Sequence, residues 1–194
     1  MSEDEALDLD NDSDGTSIIV TAYGTIQSLT EEGIDIDNYG SEGVTVTVTN
    51  ADGTAEVIAD EDSIEFDNNN GGGVTVTVDN VTIDENDAID VDNDSDGTFV
   101  NVTVNGTVTT MDDRGIEVDN DGSEGVTVTA TTADNTSLIN SDDNDGVYVD
   151  NNNGGSVSVE VDIVTADDEG IQIENDVAGN SVDVTVNVSV TSNT

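Results

Sequence analysis

A chain of 194 residues with 46 acidic side chains, one basic side chain and a formal charge of −45 is a poor partner for any polyanion. Nucleic acid and anionic membrane surfaces are held through Lys and Arg, and Arg114 is the single residue of that kind. The absence of His and Cys excludes thiolate metal sites, disulfides and His-activated nucleophiles, and no apolar run approaches the ~20 residues that span a bilayer. Low hydrophobicity at this charge ordinarily means disorder. The dense supply of Val, Ile and Thr instead predicts a folded β protein that depends on cations or salt.

From the N-terminus, the acidic opening MSEDEALDLD has no apolar stretch and is not expected to act as a signal peptide. A pentad of pattern aliphatic-x-apolar-acid-Asn then recurs seven times: LDLDN from Leu7, IDIDN from Ile34, IEFDN from Ile64, IDVDN from Ile89, IEVDN from Ile116, VYVDN from Val147 and IQIEN from Ile171. The closing asparagines, Asn11, Asn38, Asn68, Asn93, Asn120, Asn151 and Asn175, are spaced 27, 30, 25, 27, 31 and 24 residues apart. A longer period overlies this one. DNDSDGT at Asp10 and SEGVTVT at Ser41 each return after 82 residues, and DNNNGG at Asp67 returns after 83. The chain is expected to be one domain, 1–194, made of two three-coil blocks, about 6–87 and 88–169, and a final coil, 170–194.

Each coil predicts the same elements in order. In coil two a short strand at 34–37 leads through a turn to an alternating strand at 44–49, then to a third strand at 54–59 and an acidic corner at 60–62. The corresponding strands are 64–67, 74–78 and 81–84 in coil three, and 116–119, 126–131 and 136–140 in coil five. Period-two alternation turns Ile34, Ile36, Val44, Val46 and Val48 inward and Asp35, Asp37, Thr45 and Thr47 outward. One such unit cannot bury its apolar face alone, whereas stacked units share a continuous core. The expected fold is all-β, a parallel β-helix (β-solenoid) of about seven coils with three short strands per coil; antiparallel hairpins with Asn- and Gly-rich turns are the competing arrangement.

The units GIDIDN, GIEVDN and GIQIEN resemble the right-handed parallel β-helix repeats of pectate-lyase-like proteins and autotransporter passengers. The resemblance spans nearly the whole chain and concerns architecture. It implies a right-handed coil and an internal asparagine ladder at the seven closing Asn positions. It does not extend to catalysis: lyases of this kind use Arg or Lys, the related hydrolases add His, Arg and Lys to their carboxylates, and this chain has neither His nor Lys. No enzymatic activity is expected, with a polysaccharide-active enzyme the remote alternative.

Calcium is a candidate cofactor. Asp10, Asp12 and Asp14, and again Asp92, Asp94 and Asp96, place carboxylates at alternate positions before a glycine, and hard cations favour several oxygens in one place. The loop is not an EF-hand, since position twelve is Thr21 or Thr103 where a bidentate Glu is needed. Asp, Asn and Gly also suit plain turns, so a calcium turn and a turn alone both stand. The acidity equally fits a high-salt habitat. A possible ligand surface is the threonine rows, Thr45 and Thr47, Thr75 and Thr77, Thr127 and Thr129, which resemble the flat faces of ice-binding solenoids. N-x-S/T sequons occur at Asn11, Asn80, Asn93, Asn101, Asn105, Asn135 and Asn187. The expected role is an extracellular or cell-surface structural solenoid, a stalk, adhesin segment or filament subunit. It is expected to associate end to end or to continue in a longer chain, without binding nucleic acid or inserting into a membrane.

Overall fold

The structure is a computed structural model that describes residues 5–94, 98–176 and 180–193. The chain winds through seven coils as a parallel β-solenoid, and every strand pair among the described residues is parallel, which excludes the hairpin arrangement. The first face stacks Asp8–Asn11, Ile34–Asn38, Ile64–Asn68, Asp90–Asn93, Ile116–Asn120, Val147–Asn151 and Ile171–Asn175. The second face opens with Ile18–Ala22, Val44–Val48, Val74–Val78, Phe99–Val104 and Gly125–Ala130. The third opens with Thr25–Gln27, Glu56–Ala59, Asn80–Ile83, Thr107–Thr110 and Leu138–Ser141.

In the last two coils the second and third strands run on as single strands, Ser156–Ala166 and Val182–Ser192. Their pairing shifts register between Val161 and Ile163. The cause is local: coil six joins Val161 to Ile163 through Asp162 alone, with no turn residues between them. In coil two the opposite occurs. The Asn50 side chain accepts the N–H groups of Asp52 and Thr54, at 3.1 and 3.0 Å. That local turn consumes residues expected to be strand, so the third strand starts at Glu56.

Alternation explains the interior. Second-face strands such as Val44–Val48 and Val74–Val78 bury every other residue, and the register sets Val44 on Val74, Val46 on Val76 and Val48 on Val78. Identical β-branched side chains thus stack coil on coil, each burial contributing roughly 1.5–3 kcal/mol. The turn after the first face demands glycine for a steric reason. A Cβ on Gly155, whose φ is +75°, would lie 2.2 Å from the Gly125 nitrogen, and one on Gly72, at φ +67°, would lie 1.9 Å from the Gly43 nitrogen. Turns of neighbouring coils meet backbone to backbone there. Gly155→Ala is expected to lower stability by about 3 kcal/mol in denaturant unfolding, since left-handed backbone and overlap both oppose the methyl.

Candidate functional site

The pentad points its second and fourth residues outward, and parallel pairing in register turns these positions into columns. One runs Asp8, Asp35, Glu65, Asp90, Glu117, Tyr148, Gln172. The other is acidic in every coil: Asp10, Asp37, Asp67, Asp92, Asp119, Asp150, Glu174. Successive coils lie about 4.8 Å apart. A third column stands at the corner entering the face, with Glu32, Asp62, Asp87, Arg114, Asp145 and Glu169 each two residues before a pentad. Backbone bonds hold the corner carboxylates in place. Asp62 accepts the Asp87 N–H at 2.9 Å, Asp87 that of Arg114 at 2.6 Å, and Asp145 that of Glu169 at 2.9 Å.

Burial and crowding raise several of the carboxylates on this face. Burial first, then neighbouring carboxylates, push Asp35 up to about 6, Glu65 to about 7 and Asp90 to about 8. Asp92 and Asp119 are raised to about 6 for the same reasons, and Asp87 rises through burial and its contact with Glu117. Arg114, the one basic residue, takes the corner place in coil five. It pairs with Glu117 and sets its guanidinium 4.6 Å from the centre of the Tyr148 ring.

Among the described residues, carboxylate oxygens gather within 4.8 Å of one another in four trios: Glu5, Glu31 and Glu32; Glu32, Asp62 and Glu65; Asp87, Asp90 and Glu117; Asp145, Asp168 and Glu169. All involve the corner, which the turn motif alone did not reveal. The signal was the acid repeated two residues ahead of every pentad except that of coil five, where Arg114 stands. Of the expected calcium residues, Asp10 and Asp92 stand in the fully acidic column, while Asp12, Asp14 and Asp94 are exposed turn residues outside these trios. Asp96 lies outside the described residues.

At Asp10–Thr16, DNDSDGT works locally as a turn closed by its asparagine. Asn11 Oδ1 accepts from the Ser13 N–H at 3.3 Å and the Thr16 hydroxyl at 2.6 Å. The seven closing asparagines form a chain of amide-to-amide hydrogen bonds. Asn11 donates to Asn38 at 2.7 Å, Asn38 to Asn68 at 2.7 Å and Asn68 to Asn93 at 2.6 Å. Asn93 then donates to Asn120 at 2.6 Å, Asn120 to Asn151 at 2.7 Å and Asn151 to Asn175 at 3.2 Å. From Asn11 to Asn151 each amide also donates into its own turn, as from Asn38 to the Glu42 carbonyl at 3.0 Å and from Asn68 to the Gly72 carbonyl at 3.0 Å.

Comparison with known proteins gives no matching family model, no similar curated protein and no similar solved structure. The internal repeat therefore carries the interpretation.

The threonines share the outer side of the second face. One row runs Thr21, Thr47, Thr77, Thr103, Thr129, Glu160, Thr185; beside it run Ile19, Thr45, Thr75, Asn101, Thr127, Ser158, Asp183. Two buried acids, Asp79 and Asp162, sit between the second and third faces at equivalent places in the two blocks. Asp79 accepts the Asn50 N–H at 2.9 Å. Asp162 accepts the Thr132 and Ser137 N–H groups at 2.8 and 3.2 Å and the Asn187 amide at 2.9 Å. Burial opposes the charge of Asp162, but these donors outweigh it and hold the carboxyl below its ordinary range. Asp162→Ala leaves the loop amides without their acceptor, and a loss of about 3 kcal/mol is expected in chemical denaturation.

Proposed function

We propose that the chain is a non-enzymatic structural segment of an extracellular or cell-surface assembly, a stalk, adhesin region or filament subunit, whose coils are cohered by cations along the first face. The observation that carries this reading is the register of the acid columns. Two like charges about 5 Å apart repel by about 1 kcal/mol even in bulk water, and such pairs recur along the whole stack. Counter-ions relieve that repulsion. The donors are carboxylate oxygens throughout, a set suited to calcium, and Asp119 Oδ1 is buried without a hydrogen-bond partner between the Asp92 and Asp150 positions of its column. The corner residue Asp87 with Asp90 and Glu117 of the neighbouring column would hold the ion, which would supply positive charge and cross-link neighbouring coils. Molar monovalent salt serves the same screening role in a halophilic setting.

A stack of this kind also suits lengthwise assembly. On the last strand Val182, Val184, Val186, Val188 and Val190 are 48, 43, 40, 54 and 39% exposed. A further coil, from a continuing chain or from a second copy, would cover them and pair the open strand edge. Fractionation of the producing cells with antibody detection tests the role: the reading requires the protein at the surface or in the medium, and a purely cytosolic location overturns it.

The second reading is a ligand-binding solenoid that uses the hydroxyl rows of the second face for ice or glycans. The in-register column Thr21, Thr47, Thr77, Thr103 and Thr129 favours it. Thermal hysteresis of the purified protein decides the ice case, and its absence removes it.

A further inference from the structure

The seven sequons differ sharply in what their asparagines do. The side-chain nitrogens of Asn11 and Asn93 belong to the ladder. That of Asn80 donates to the Gly53 and Ala55 carbonyls at 3.0 and 3.1 Å, and that of Asn187 to Asp162 at 2.9 Å. Asn105 reaches Asp79 at 3.4 Å, and Asn101 lies within a second-face strand between Thr75 and Thr127. Asn135 is different. It is exposed at the tip of the loop between Ala130 and Leu138, with its backbone in the left-handed region at φ 55°.

The first block supplies an internal comparison. The equivalent loop, TNADGTA from Thr49, carries Gly53 at φ +68° where TTADNTS from Thr131 carries Asn135. Each donates its N–H back across the turn, Gly53 to Asn50 at 3.2 Å and Asn135 to Thr132 at 3.0 Å. The backbone is thus conserved between copies while glycine, the least strained residue for it, is replaced by an asparagine that opens a sequon.

We propose that Asn135 is an N-glycosylation acceptor. The proposal rests on the extracellular reading, because the co-substrate is a lipid-phosphate-linked oligosaccharide met during export. The Asn135 side-chain nitrogen attacks the anomeric carbon of that donor. The carbon–oxygen bond to phosphate breaks, the lipid phosphate leaves with the electron pair, and the amide proton passes to a base of the transferase. The product points a glycan into solvent without disturbing a coil contact. Timing follows from the third sequon residue: Ser137 is buried and its hydroxyl donates to the Gly106 carbonyl at 2.7 Å. Its hydroxyl is accessible to a transferase before the loop docks, so transfer precedes folding of this coil.

The test is glycopeptide mass spectrometry on the protein recovered from its own cells, with enzymatic glycan release in heavy-oxygen water to mark occupied asparagines. The expected result is occupancy at Asn135, with Asn11, Asn80, Asn93 and Asn187 unmodified. Asn135→Gly, which copies Gly53, should abolish the glycan mass while leaving the melting temperature unchanged or higher. An unmodified Asn135 in protein recovered outside the cell overturns the proposal and leaves the extracellular reading intact, whereas protein found only in the cytosol overturns both. Occupancy spread equally over all sequons also overturns it, since glycans on the ladder and coil-contact asparagines would then be compatible with the folded stack.

Discussion

Asn120→Leu is expected to destabilise the solenoid by on the order of 5 kcal/mol, although it replaces one buried side chain by another of similar size. Asn120 accepts from Asn93 at 2.6 Å and donates to Asn151 at 2.7 Å, and it closes its own turn through the Gly122 carbonyl and N–H at 3.0 and 3.2 Å. Leucine leaves those four groups without this partner in a fully buried place, each costing about 1–3 kcal/mol. Asn120→Asp separates the acceptor role from the donor role. Its carboxylate still accepts from Asn93 but, when ionised, donates nothing to Asn151. Burial raises that acid, so the folded state binds the proton more tightly than the unfolded state, and the variant should regain stability as pH falls. Thr127→Ala, an outward change on the second face, is the control and should move stability by less than about 0.5 kcal/mol. Urea unfolding of the three variants beside the parent chain measures all of this.

The pH dependence of the parent chain should be inverted over the neutral range. Asp35, Asp92 and Asp119 at about 6, Glu65 at about 7 and Asp90 at about 8 are all raised in the folded state. Between the ordinary carboxylate range and these values the folded chain holds more protons than the unfolded one, so each group's contribution to stability is present at low pH and is lost as pH rises. Solvent screening removes much of the effect at the half-exposed positions, leaving on the order of 3 kcal/mol in total at low ionic strength. For a chain of this length that corresponds to about 10 °C. The melting temperature should therefore fall from pH 5 to pH 9. Asp162 acts in the opposite sense: its lowered carboxyl contributes stability above the ordinary Asp range that is lost on acidification below it. The maximum is expected near pH 5, and molar salt should flatten the decline.

The coil path was readable in the sequence because the pentad reports both periods at once. Its alternation gives strands, and its return every 24 to 31 residues gives stacked coils. DNDSDGT was harder. Its three aspartates drew attention to the turn, yet the close carboxylate trios form at the corner, where side chains from different coils and from both sides of a bend converge. Asp62 and Asp87 are 25 residues apart, and uneven coil lengths hide that kind of neighbourhood until the register is known. Asp162 was obscured for a related reason. It interrupts an otherwise uniform alternation, and its partners Thr132 and Ser137 lie in the previous coil. Fusion of the second and third strands in coil six follows from that same residue, which serves as both bulge and loop cap.

The cation dependence of the stack is tested most directly by thermal unfolding, followed by circular dichroism at pH 8 and low ionic strength. One sample contains chelator, one contains calcium, and one contains monovalent salt at the ionic strength of the calcium sample. With carboxylate columns in register at about 4.8 Å, calcium is predicted to raise the melting temperature by about 10 °C or more over the chelated protein and to exceed the matched monovalent salt. Superimposable melting curves in all three would contradict the account.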